Sequence, residues 1–225
     1  MAPPEPTRTG TPLIHPPEGE LVTSWIEDPN GGRARGPRGL GRAWVEALIR
    51  PRRFFVNGVA PGDQAPALTF AVAVAAAYIL GWIAADPAVV PGVVVSETVS
   101  AAILFLLVVV LAAPVGLHLT AAVATLSVIL ASVEIRDGLS LRDRGGVSET
   151  VQVVAYASSP FALAGPPIPA LRIACGAYAA ALLLIGFRTV HGTTAFRTLV
   201  AGVPPILIGY GVGYRVVAAI RTLFA

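Results

Sequence analysis

From Thr150 to Leu171 the chain runs for 22 positions without a charged residue, yet it carries Gln152, Tyr156, Ser158, Ser159 and a mid-run Pro160. A helix of about 20 apolar residues crosses a hydrocarbon core roughly 30 Å thick, so the run is long enough to span a bilayer. Its polar groups would need protein partners in lipid, which turns them towards other helices and away from acyl chains. Ser148 is placed to cap such a helix, and Glu149 would occupy the first turn, where the helix dipole favours a carboxylate.

Other uncharged runs reach the same length. Apolar residues make up 55% of the chain and charged residues only 13%, too few to cover a soluble core of this size. The expected fold is therefore all-α: a polytopic membrane helix bundle. A first span covers about 67–85 and ends at Asp86-Pro87; the linker to Glu97 adds a second acid and no arginine. The next uncharged run, Thr98 to Val133, is 36 residues long, about 54 Å as a straight helix. It is either one long helix kinked near Pro114 or two short spans.

Arginine placement arbitrates between these. One span puts the N-terminal tail, the Glu134–Val147 loop and the Arg188–Arg197 loop on one side, with thirteen of the sixteen arginines. Two spans leave eleven against five. The positive-inside rule favours the first, which predicts five spans and a cytoplasmic N-terminus in the cell membrane. The third span, about 149–165, is the opening run, and Gly165-Pro-Pro-Ile-Pro169 forces a turn after it. The fourth covers about 170–187, with Arg172 snorkelling from its start and Gly176 and Ala180 at small-xxx-small spacing. The fifth covers about 198–214, where Gly209 and Gly213 repeat that spacing, and 215–225 follows as an external tail.

Before the first span the chain changes character twice. Residues 1–41 are rich in Pro and Gly without helical or strand periodicity, the composition of a disordered tail; Leu21–Trp25 is a short apolar cluster within it. Residues 42–60 read as an interfacial amphipathic segment, with Trp44, Val45, Leu48 and Ile49 on one face before Pro51. There Trp44, Arg50, Arg52, Arg53, Phe54 and Phe55 are expected to contact lipid headgroups, and 61–225 forms the transmembrane domain.

No motif carries catalysis, a cofactor or a metal. Ser158 and Ser159 have no His or carboxylate at an activating spacing, and no metal-ligand or phosphate-loop pattern occurs. Ile208-Gly-Tyr-Gly211 imitates part of a potassium filter, but it lacks the leading threonine and too little chain follows for a lining helix. His118 is the ionisable side chain deep in an apolar run, and it forms with Gln152, Tyr156, Ser158 and Ser159 a candidate interhelical polar cluster. That cluster is the basis of an alternative reading as a small-molecule permease. The modest positive charge sits near the N-terminus and is a topology signal, not a nucleic-acid footprint. The partners expected are the lipid bilayer and a membrane or cytoplasmic protein, and self-association into a homo-oligomer is compatible with such a chain.

Several stretches in order resemble the Yip family of Ypt/Rab-interacting proteins. They are Pro51-Arg-Arg-Phe-Phe55, His118-Leu119, Gly145-Gly-x-Ser-x-Thr150, Ala155-Tyr-Ala-Ser-Ser-Pro160 and Gly186-Phe-Arg-Thr-Val-His-Gly192. The tone, with Pro61-Gly-Asp-Gln-Ala-Pro66 before the first span, is similar to haloarchaeal members. The resemblance implies a non-enzymatic, five-span integral membrane protein concerned with membrane organisation or partner recruitment. The acidic Asp-Leu-Tyr-Gly-Pro motif linked to Rab binding in eukaryotic members is absent from the N-terminal region, so that role is not carried over.

Overall fold

The structure, a computed structural model, describes residues 27–28, 32–33, 36–90, 92, 96–135 and 139–225. Residues 1–26, with the Leu21–Trp25 cluster and most of the tail expected to be disordered, lie outside the described residues. A short antiparallel ladder of β1 (Glu27–Asp28) and β2 (Gly32–Arg33) precedes α1 (Gly36–Ile49) and α2 (Pro51–Asn57). Then come α3 (Ala65–Ala85), a 3-10 turn at Pro87–Val89, and α4 (Glu97–Leu106), which passes through a π-helical stretch at Leu107–Ala112 into α5 (Ala113–Ala131). A hairpin of β3 (Val133–Ile135) and β4 (Leu139–Leu141) leads to α6 (Val147–Ala157) and a 3-10 turn at Ser159–Leu163. The chain ends with α7 (Pro169–His191), α8 (Ala195–Pro205), a second π stretch at Ile206–Gly213, and α9 (Val216–Phe224).

This is the all-α membrane bundle that the uncharged runs predict. Among the described residues, four helices are long and apolar enough to cross a membrane: Ala65–Ala85, Glu97–Ala131, Pro169–His191 and Ala195–Gly213. The uncharged run from Thr98 forms one continuous helix, Glu97–Ala131, and the run's last residue, Val133, opens β3. The helix starts cleanly because Ser96 Oγ accepts from the Val99 amide (3.3 Å) and Glu97 stands in the first turn. Pro114 has no amide proton and its ring crowds the carbonyl four residues back, at Val110. The π stretch holding Val110 widens the helix there without ending it. Pro204 and Pro205 directly precede the second π stretch, and the carbonyls four residues before them, at Val200 and Ala201, lie in α8.

The bundle is apolar outside as well as inside, where Phe55, Phe70, Leu182 and Phe187 are among the fully buried side chains. Its apolar side chains face outward along the long helix, with Val110 70% and Leu119 62% exposed. Lipid tails are as apolar as those side chains, so nothing drives them inward. What sits at the centre is the polar run: every residue from Thr150 to Phe161 is buried. Thr150 lies beside His191, while Ala164 and Gly165 lie beside Arg172, so α6 and its 3-10 turn run antiparallel to α7 along its length. Phe54 and Phe70 meet the Tyr156 ring edge-on at 4.8 and 5.1 Å, and Phe161 stacks on Tyr214 at 4.0 Å.

Three boundaries differ from the sequence reading. The helix expected from residue 42 begins at Gly36, because Gly39 extends the inward face of Ala43 and Ala47 by one turn and a glycine carries no hydropathy signal. Ser148 is not the cap of α6: the helix starts at Val147, with Gly146 as the flanking residue and Ser148 inside the first turn. The C-terminal tail is a helix, turned sharply at Arg215 (φ 59°) so that Val216 packs against Gly176 of α7.

Close approach at Gly165 gives a stability prediction. A Cβ there would lie 2.5 Å from the Tyr78 carbonyl and 2.8 Å from Gly81 Cα, both backbone atoms that cannot step aside. Gly165→Ala should cost about 1–3 kcal/mol, read as a lower midpoint of thermal unfolding in micelles. Gly41→Ala, on an open face of α1, should instead gain about 0.5–1 kcal/mol. Equal midpoints for the two variants would contradict this contact.

Candidate functional site

The centre of the molecule is a helix that breaks inside the bundle. Pro160 cannot donate to the ladder, and after Ala157 the chain tightens to three-residue bonding: Ser158 N–H to Ala155 O, Phe161 N–H to Ser158 O, Ala164 N–H to Phe161 O. The break frees carbonyls that have no water to turn to. Side chains take them up. Tyr210 Oη donates to Val154 O at 2.9 Å, Ser158 Oγ to Ala155 O at 2.6 Å, and Ser159 Oγ to Tyr156 O. Trp44 Nε1 donates to Ser159 O at 2.9 Å, and Arg172 gives Nε to Ala164 O (3.2 Å) and Nη2 to Gly165 O (2.9 Å). The two serine hydroxyls, Ser158 and Ser159, are thus spent on carbonyls of their own segment.

Upstream, Gln152 fastens the N-terminal segment. Its Oε1 accepts from the Ala60 amide at 3.0 Å and its Nε2 donates to the Ala60 carbonyl at 2.6 Å, a two-way clasp across 92 residues of sequence. Nε2 also reaches Ser148. Tyr178 Oη donates to Leu48 O. Gly186 lets Phe55 and Val153 close in, since a Cβ there would lie 2.5 Å from Val153 Cγ1 and 3.1 Å from the Phe55 ring. Thr150 Oγ1 bonds the Gly146 carbonyl at 2.9 Å and approaches His191 Nε2 at 3.3 Å.

These contacts revise several expectations. Phe54 and Phe55 are 3% and 2% exposed, and Trp44 is half-buried, so the three are parts of the core and not headgroup contacts. Of the apolar face Trp44, Val45, Leu48 and Ile49, protein half-covers Trp44 and Leu48, while Val45 and Ile49 are 44% and 67% exposed. Arg50, Arg52 and Arg53 do face outward. Of the expected polar cluster, Gln152 and Tyr156 are buried on α6 and Ser158 and Ser159 in the break that follows it, each with its own partner, whereas His118 lies elsewhere. It is exposed on α5, with Nδ1 2.7 Å from the carbonyl of Pro114 in its own helix. Gly176 and Gly209 lie at close contacts, with Val216 and Thr120 respectively, and Ala180 is half-buried. Gly213 meets nothing within 4 Å, so the spacing that pairs it with Gly209 does not bring it to a neighbour. Gly81, Gly165 and Gly186 were missed, because their role is set by a partner distant in sequence. Among the described residues, no three His, Cys, Asp or Glu side chains gather as metal ligands.

The Yip1 domain family model matches residues 45–215. The chain belongs to the Yip1 family. Comparison with curated proteins and with solved structures gives no match. The match starts inside α1, so it takes in the end of α1, all of α2 and Ala60, and leaves residues 36–44 outside. It ends at Arg215, where the chain turns into α9.

The clasp is testable. Gln152→Leu keeps the bulk and strands both Ala60 groups, which should cost about 1–3 kcal/mol. Hydrogen exchange across residues 51–60 should speed up at least tenfold while the middle of α7 stays protected. Unchanged exchange at Ala60 would show that Gln152 does not hold the segment.

Proposed function

We propose that this Yip-type protein is non-enzymatic, crosses the membrane five times from a cytoplasmic N-terminus, and organises membrane or recruits a protein partner at its arginine-rich end. The fifth crossing in this reading is α6 with its 3-10 turn. It is shorter than the other four but runs alongside the full length of α7. By chain order, thirteen of the sixteen arginines then fall on the side of Thr150 and His191, the distribution that marks a cytoplasmic face.

The observation that carries the proposal is the state of those arginines. Glu134 pairs with Arg142 (3.4 Å) and Arg197 (3.3 Å), tying the β3–β4 hairpin to α8. Arg50, Arg52, Arg53 and Arg188 are exposed, and among the described residues none has an acidic partner. Arg52 and Arg188 border a hollow of about 590 Å³ together with Thr189 and Thr198. Unpaired guanidinium groups at a concave, hydroxyl-bearing surface suit carboxylates or phosphates, on an acidic protein segment or an anionic lipid. Because α2 is held by Phe54, Phe55 and the Ala60 clasp, this surface is fixed in place.

Two experiments test the reading. Crosslinking in native membranes, followed by purification through an N-terminal tag, should capture a partner whose recovery falls at least tenfold in the triple variant Arg50→Gln, Arg52→Gln, Arg53→Gln. Undiminished recovery would sink the recruitment surface. For topology, single cysteines at Val147 and Ala195 in a Cys175→Ser background should label only from the cytoplasm, and one at Ala88 only from outside. All three positions are exposed. External labelling of Val147 would overturn the five crossings.

A further inference from the structure

At the end of the bundle away from Thr150 and His191, a cavity of about 420 Å³ opens between α3, α5, α6 and the second π stretch. That volume lies within the roughly 300–1,000 Å³ usual for ligand sites. Its wall is mainly aliphatic and small, with Ala71, Ala75, Gly116 and Ile208 among the lining residues. Leu119, Ile208 and Val212 both line it and are exposed, so its mouth faces the lipid. Both π-helical stretches border it, through Val108 and Ala112 on one side and Gly209 and Tyr210 on the other. π-Bulges recur at functional sites because they part a helix from its neighbour.

One end of this apolar space is positively charged. Trp82, in the lining, has the guanidinium of Arg172 4.7 Å and that of Arg215 5.0 Å from its ring. Arg172 also lies 5.5 Å from the Tyr78 ring. Arg172 is buried and its hydrogen bonds go to neutral carbonyls, and among the described residues Arg215 has no acidic partner. The acids described at this end, Asp86 and Glu97, form no ion pair with either. The buried Trp82 Nε1 is a donor without an acceptor. An apolar slot open to lipid, ending at two uncompensated cations and a free donor, is the complement of one amphiphile class.

We propose that this cavity binds an anionic membrane lipid, with one hydrocarbon chain between the π stretches and the headgroup phosphate at Arg215 and Arg172 beside Trp82. Arg215 is free to serve the headgroup because its left-handed turn carries it out of the α8 line. Gly116 gives access to the chain slot: a side chain added there meets nothing within 4 Å. The site is at the opposite end from the arginine-rich surface, so a failure of partner recruitment leaves it untouched.

The test uses the full chain in phosphatidylcholine nanodiscs with rising fractions of phosphatidylglycerol carrying dibrominated chains. The Trp82 signal is taken as the fluorescence difference between the wild type and Trp82→Phe. Quenching should saturate, at a mole fraction at least about fivefold lower than for dibrominated phosphatidylcholine. Arg215→Gln should raise the half-saturation point about tenfold, the size of one lost charge-assisted contact. Gly116→Leu should remove the saturable phase while leaving the apparent unfolding midpoint in pure phosphatidylcholine within a few degrees. Arg172 is left intact because it also holds the Ala164 and Gly165 carbonyls. Quenching that rises linearly, that is equal for the two lipids, or that survives either substitution overturns the proposal. Displacement by glycerol phosphate as readily as by the intact lipid would show a free-anion site and overturn it as well.

Discussion

Six main-chain carbonyls between Val154 and Gly165 must be matched where the central helix breaks, and the rest of the molecule is arranged to match them. In hydrocarbon an orphaned carbonyl costs several kcal/mol, about the scale of a domain's whole stability once two or three are left open. Two of the donors are the segment's own serines. The others come from three different elements: Trp44 of α1, Arg172 of α7 and Tyr210 of the second π stretch. The break is therefore the point at which distant parts of the chain are joined. A straight, fully bonded helix at this place would have offered them nothing to hold.

That dependence explains which features were legible in the sequence. Length and apolarity are local signals, so the helices of an all-α bundle could be read from the uncharged runs, and the central run from its polar content. The segment 42–60 could not be placed. An amphipathic pattern reports that a face is apolar, not what covers it, and Phe54 and Phe55 look the same against headgroups as against Tyr156. His118 misled for a related reason. A polar side chain in an apolar run must bond something, and here the nearest acceptor is the Pro114 carbonyl one turn back. The glycines divide likewise. Spacing found Gly176 and Gly209, but Gly165 works against Gly81 and Gly186 against Phe55, pairings that no local window contains.

The clasp on Ala60 gives the family unit a physical boundary. The Yip1 domain match opens within α1, and the contacts explain why the segment before the first long helix belongs with it. Trp44, one residue before the match, gives the Ser159 carbonyl a side-chain donor, and without the Ala60 peptide Gln152 is a buried amide with little to bond. The segment needs the bundle equally, since Phe54 and Phe55 would otherwise expose large apolar faces at the chain's most arginine-rich stretch. Each part is unfavourable alone and stable with the other, and so the arginines beside them are presented on a rigid support.

The cavity beside the π stretches follows from the same proline chemistry. Pro114, Pro204 and Pro205 each remove a donor from a ladder that the bilayer will not hydrate, and each site adjoins a stretch where the helix widens to π bonding. At about 24 cal/mol per Å³, an empty space of about 420 Å³ would cost on the order of 10 kcal/mol, as much as a typical fold has to lose. A space with its mouth in lipid does not stay empty, because a hydrocarbon chain is always at hand. The discriminating question is which chain enters, and that is decided at the polar end. Two guanidinium groups without counter-charges, close to a ring whose N–H lacks an acceptor, favour an anionic headgroup over a zwitterionic one carrying its own cation.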